Sequence, residues 1–249
     1  MNRTKIEWTN VTYNPLGQGC DHNCWFCYAK RGARRNYFMH LALYKKGKRK
    51  NPPCELCRDF KPHFHPERLN DPDFDRLPAG TKIFVCSTSD LFAPWTEPEW
   101  RDQVLNRICR PRYLHLIFQL LTKNPEEIPY LAYHKNVWFG VTITTQKETD
   151  KIKVLRDHIG DNLGFASFEP LLGPIQTIDL SLLNWIIIGK LTGSRKVRLQ
   201  KEWVQSLIDQ ARTHNIPVFI KDNVGWPEKI QEFPSSQMSF DLYGRSLNR

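Results

Sequence analysis

The sequence lacks any long apolar run. The strongest, Trp185-Ile186-Ile187-Ile188, is four residues long, far short of the roughly 20 that a membrane-spanning helix needs. The stretch Met1 to Asn10 has no apolar core of the kind a secretory leader carries. A soluble, cytoplasmic protein with no membrane contact is therefore expected. Cysteine is present seven times, an odd number that disfavours a complete set of disulfides, as does a reducing compartment. The thiols are better candidates for ligands or core residues.

Acidic residues are scarce in one place. Of 36 Lys and Arg and 26 Asp and Glu, twelve and three lie between Tyr28 and Arg68, a local charge of +9. The remaining 24 basic and 23 acidic residues nearly cancel. Such a concentration favours a polyanion, most commonly nucleic acid. The competing reading is a solvated basic helix face and loop.

Two cysteine groups flank or occupy this stretch. Cys20, Cys24 and Cys27 form a C-x3-C-x2-C loop. Three thiolates suit a four-iron, four-sulfur cube with one iron left open for a further ligand. With His22 they could instead make a closed zinc site; paired disulfides are disfavoured. The second group is Cys54, Cys57, His63 and His65, in C-x2-C-x5-H-x-H spacing. These are donors that zinc prefers, although the short spacer between the histidines is unusual for a zinc finger and leaves room for another ligand in place of one His. Ordering a loop costs about 1–2 kcal/mol per residue, and structural zinc supplies roughly 10–16 kcal/mol, enough to fix a loop of about the Cys54–His65 length. A redox-labile pair, or participation with the first group, are the other readings.

The pattern predicts a single domain over 1–249 with an insertion at 45–80. An extended stretch at residues 5–15 leads into the Cys20 loop and a helix over Cys27–Tyr44. Strands are expected at 82–86, 114–121, 137–142, 163–168, 185–188 and 217–221. Helices are expected over Glu97–Arg110, introduced by Thr96 as cap, and over Glu126–His134, Lys147–His158 and Glu202–His214. Apolar strands alternating with helices imply a parallel sheet covered on both faces. The fold class expected is α/β, a partial or complete TIM-like barrel of about seven parallel strands, with a doubly wound sheet as the alternative. Strand ends then place Ser87, Asp90, Thr122, Lys123, Glu169 and Lys221 on one face. Ser89, Thr144 and Asn124 read better as caps and turns, and Cys86 and Cys109 as core thiols.

The three-cysteine spacing, with Phe26 just before Cys27, resembles the signature of the radical S-adenosylmethionine (SAM) superfamily. Further segments are similar to an uncharacterised phage and prokaryotic radical SAM-like family: Lys5-Ile6-Glu7-Trp8-Thr9, Phe64 to Leu69, Ile83 to Ser87, Leu121-Thr122-Lys123, Ser167 to Pro174 and Phe219-Ile220-Lys221. Many members have Gly-Gly-Glu-Ser-Gly where this chain has Gly189-Lys190-Leu191-Thr192-Gly193, which weakens any role transferred to that loop.

The resemblance implies a [4Fe-4S] cluster on Cys20, Cys24 and Cys27, with SAM cleaved to a 5′-deoxyadenosyl radical. It also implies Phe26 against the adenine, and Ser87 and Asp90, by position, at the SAM amino group. An electron donor such as a flavodoxin or ferredoxin would be required. With the basic stretch, the expected substrate is a nucleic-acid base or nucleotide. The alternatives are a peptide or small metabolite, or a non-catalytic, zinc-stabilised nucleic-acid-binding protein.

Overall fold

The structure, a computed structural model, describes residues 2–70, 73–130, 133–193 and 197–235. Its centre is one sheet whose strands run in sequence order: β1 (Asn2–Arg3), β2 (Val11–Tyr13), β3 (Lys82–Val85), β4 (Ile117–Thr122), β5 (Val137–Thr142), β6 (Leu163–Phe168), β7 (Trp185–Ile188) and β8 (Val218–Ile220). β1 is antiparallel to β2, and every later neighbour is parallel. Among the described residues no strand pair joins β8 back to β2, so the seven parallel strands form an open, curled partial barrel. Glu7 reaches across that gap and accepts from the backbone N–H of Asp222 at 2.7 Å. The outer edge of β8 is covered where Ile220 N donates to Ile230 O and Glu232 N to Val218 O, which hides an otherwise unpaired edge.

Helices α1 (Tyr28–Lys45), α4 (Pro98–Ile108), α5 (Lys151–Ile159) and α6 (Lys201–Thr213) lie close to the predicted spans; α2 (Glu55–Arg58) and α3 (Pro66–Leu69) are single turns in the insertion. Two local expectations are corrected. The helix expected over Glu126–His134 is a 3-10 turn at Pro125–Glu127. Pro129 follows Ile128 and forces it into an extended conformation, φ −71° and ψ 120°, because a residue before proline is disfavoured in the helical region. Thr96 is not the cap of α4, a place taken by Glu97; its hydroxyl donates to Asp90 O at 2.9 Å.

The period of two along each strand sorts the core into two faces. Ile83, Val85, Phe118, Phe139, Ala166, Phe168, Ile186 and Val218 pack outward with Val104, Leu105, Ile152, Leu155, Val204 and Leu207 of the helices. Phe84, Trp138, Phe165, Trp185 and Phe219 point inward and, with Trp8, fill the concave side with rings. Trp8 lies 4.7 Å from Phe84, and Trp138 stands edge-on to Trp185 at 5.8 Å. Gly140 gives the Phe165 ring its space, since a Cβ there would overlap it. Above this aromatic plug the inward positions turn polar, at Thr142 and Ser167, and a cavity begins.

Candidate metal centre and adjoining cavity

The insertion is built so that four donors meet. Cys54 caps α2 and Cys57 lies within it, three residues on, so one helical turn brings both thiols to the same side. Residues 63–65 are extended and pair with 15–17: Gly17 N donates to His63 O and His65 N to Pro15 O, both at 2.9 Å, with Leu16 opposite Phe64. Extended backbone turns residues i and i+2 to one face. The single-residue spacer, unusual for a zinc finger, is therefore what puts His63 and His65 together while Phe64 stacks on Trp100 at 5.9 Å. Gly17 lies so close to the His63 ring that a Cβ there would overlap it.

His63 Nε2 is 3.4 Å from Cys54 Sγ, 3.3 Å from Cys57 Sγ and 2.9 Å from His65 Nε2, and His65 Nε2 is 3.4 Å from Cys57 Sγ. All four donors lie within 4.8 Å of one another. Tetrahedral zinc, with bonds of about 2.3 Å to sulfur and about 2.0–2.1 Å to nitrogen, separates S and N ligands by about 3.5 Å and two N ligands by about 3.3 Å. Small outward shifts would seat the ion. Both rings are oriented from behind: His63 Nδ1 donates to Lys61 O at 2.7 Å and His65 Nδ1 to the Glu67 carboxylate at 2.6 Å. This is the outer-shell arrangement that fixes ligating imidazoles and leaves Nε2 for the metal. Burial opposes ionisation of Cys57, but its interactions with the His63 and His65 rings outweigh it and lower its pKa to about 5.

The three-cysteine loop is arranged differently. Cys27 Sγ accepts the N–H of Lys30 at 3.3 Å and caps α1. Burial pushes the Cys20 thiol up to about 12 and raises Cys24 as well. His22 turns to Asp90, 3.0 Å away, and stands edge-on to Trp95. Of the two thiols expected in the core, Cys86 is buried, whereas Cys109 is only half-buried at the end of α4.

A cavity of about 1470 Å³ opens at the carboxyl ends of the parallel strands, lined by Cys20, Cys24, Phe26, Cys27, Ser87, Asp90, Thr122, Lys123 and Glu169, with Cys54, Cys57 and His65 at its side. The strand-end residues are thus brought to one place, but most are occupied. Asp90 Oδ2 accepts from Lys123 N at 3.0 Å and Asn124 Nδ2 at 3.3 Å, and Oδ1 from Phe92 N at 3.1 Å. Buried and multiply bonded, Asp90 ties three loops together. Ser87 Oγ donates to Asn14, Thr122 Oγ1 accepts from Asn124 N, and Glu169 pairs with Lys221. Lys123 Nζ sits 5.8 Å over the Phe26 ring.

Residues 3–248 match the family described as Protein of unknown function (DUF5131). The chain belongs to that family. No curated protein and no solved structure matches it.

In this DUF5131 chain the radical SAM reading is corrected. The His, Cys, Asp and Glu donors that converge on one point among the described residues are two Cys and two His of the insertion, and Cys20, Cys24 and Cys27 are not among them. Two thiols and two imidazoles make a closed set of the structural zinc kind, not the three thiolates of an open iron. The [4Fe-4S] cluster, SAM as cofactor, the radical enzyme and a base-modifying reaction fall with that finding. Cys20, Cys24, Cys27 and His22 do not converge as a four-donor group among the described residues, and His22 Nε2 lies 3.0 Å from Asp90 Oδ2. Sequence reasoning passed over Gly17 and Glu67, which support the metal ligands. The signal for Glu67 was its place two residues after His65, where a carboxylate can return to the ring. Among the described residues no helix is long and apolar enough to cross a membrane.

Proposed function

We propose that this protein is a non-catalytic nucleic-acid-binding protein whose insertion is held in shape by one zinc ion. The observation that carries the reading is the closed Cys54–Cys57–His63–His65 donor set, seated within the stretch that holds nearly all of the chain's excess positive charge. A structural zinc site has no open position, so its work is to order the segment around it. Lys30, Arg34 and Arg35 of α1 and the run Lys45 to Lys50 are exposed. Trp25 and Tyr28, 50% and 58% exposed, lie beside them. Cations interleaved with exposed rings suit phosphates and bases together. A cytoplasmic setting goes with this reading, since zinc thiolates persist where thiols stay reduced.

Titrating labelled single-stranded DNA and RNA with the zinc-loaded protein at 50–200 mM salt tests the reading. Affinity should fall steeply with salt, with a log–log slope of about −0.7 per neutralised phosphate on a single strand. Arg34→Glu with Arg35→Glu should weaken binding and flatten the slope. Absent or salt-independent binding would remove nucleic acid as the partner.

A further inference from the structure

We infer that the nucleic acid is engaged as an unpaired strand, with one nucleotide lodged in the cavity at the carboxyl ends of the strands; this rests on the nucleic-acid reading above. The cavity, at about 1470 Å³, exceeds the roughly 300–1,000 Å³ of small-molecule pockets, which favours a segment of polymer over a metabolite. A duplex keeps its bases stacked inside and offers only their edges in the grooves. To send a base into a concave sheet it must first unpair and flip that base out, a cost an unpaired strand does not bear.

The lining matches the parts of a nucleotide. At the floor Ser167, 1% exposed, has a hydroxyl with no hydrogen-bond partner among the described residues, and the residue lines the cavity. Buried polar groups in proteins are almost always paired, and the edge of a base supplies both donors and acceptors. On the wall Phe26 offers a partly exposed ring with Trp25 edge-on at 5.4 Å, a stacking surface that any base can use. Lys123, over the same ring, and the exposed Lys190 supply positive charge for the phosphate. Lys221 is already neutralised by Glu169. The basic face of α1 leads toward this opening: Arg31 of that helix donates to the carbonyls of Thr192 and Gly193, just beyond Lys190.

The test compares a single-stranded oligonucleotide carrying 2-aminopurine with a blunt duplex of the same sequence, both titrated with full-length zinc-loaded protein. Wild type should prefer the single strand and change the 2-aminopurine fluorescence on binding. Phe26→Ala should lower single-strand affinity about 5- to 150-fold, the range for loss of one stacked base, abolish the fluorescence change and leave duplex binding as it was. Lys190→Glu, at an exposed position where folding is not at stake, should act in the same selective direction. Arg34→Glu with Arg35→Glu should weaken strand and duplex alike. Equal binding of strand and duplex by wild type, unaltered by Phe26→Ala and Lys190→Glu, would overturn the inference and leave the nucleic-acid reading standing. Binding of neither would overturn both.

Discussion

The Nε2 atoms of His63 and His65 are 2.9 Å apart, although each ring already spends its Nδ1–H on an oxygen acceptor, Lys61 O in one case and Glu67 in the other. Two bare lone pairs at that distance repel. A cation between them removes the repulsion, and with the Cys54 and Cys57 thiols at 3.3–3.4 Å from the same nitrogens the arrangement suits a metal ion better than a shared proton.

Glu67 should set the strength of that site from outside the ligand set. Glu67→Gln replaces a carboxylate that holds the His65 ring, and zinc affinity should fall about 10- to 100-fold, the usual cost of losing such a partner. Competition with a chelator of known affinity measures it. An unchanged affinity would mean that the carboxylate contact contributes nothing to the centre.

Gly17 should prove intolerant for a steric reason. Any Cβ there overlaps the His63 imidazole, so Gly17→Ala must displace a ligand or part the 15–17 and 63–65 segments. Reduced zinc retention and faster proteolysis within residues 45–70 are expected, with the far-ultraviolet circular dichroism of the sheet retained. A variant as protease-resistant as wild type would contradict the packing described.

Inside the barrel, Gly140→Ala drives a methyl group into Phe165. Overpacking of this kind costs about 1–3 kcal/mol and should lower the melting temperature without loss of zinc. Phe165→Leu in the same chain should recover part of the loss. No recovery would show that the two positions do not compete for one space.

Glu148 predicts an acid-sensitive clamp. Burial works against its charge, but hydrogen bonds from the Thr144 N–H and hydroxyl, at 2.7 and 2.6 Å, and the nearby Lys151 outweigh it and hold its pKa below the ordinary 4.5. As pH falls the unfolded chain therefore takes up the proton first. The stabilisation is complete above about 4.5 and drains away as pH drops through the lower folded value. Denaturant titrations between pH 6 and 3 should show a shallower acid loss for Glu148→Gln than for wild type. Parallel pH profiles would remove Glu148 from the account.

Much of this architecture was legible because apolar strands buried on both faces leave a plain signal. Leu163–Phe168 and Trp185–Ile188 read directly as strands, and the helix expected over Glu202–His214 is found at Lys201–Thr213. The turn at Pro125 was misread because the acidic Glu126 and Glu127 look like a first helical turn, and the veto comes from Pro129 two residues later. The metal ligands were visible as residue types, but their convergence was not, since it depends on a cross-chain pairing with Leu16 and Gly17 that spacing cannot reveal. The three-cysteine loop misled for the opposite reason: its spacing is conspicuous, while the fates of Cys27 as helix cap and His22 as partner of Asp90 are written in residues 30 and 90.

Metal analysis of the purified full-length protein, beside a Cys54→Ser, Cys57→Ser double variant, tests the central claim most directly. The account predicts one zinc per chain in wild type, none in the variant, and no stoichiometric iron in either. About four irons per chain in anaerobically prepared wild type, retained in the double variant, would contradict it.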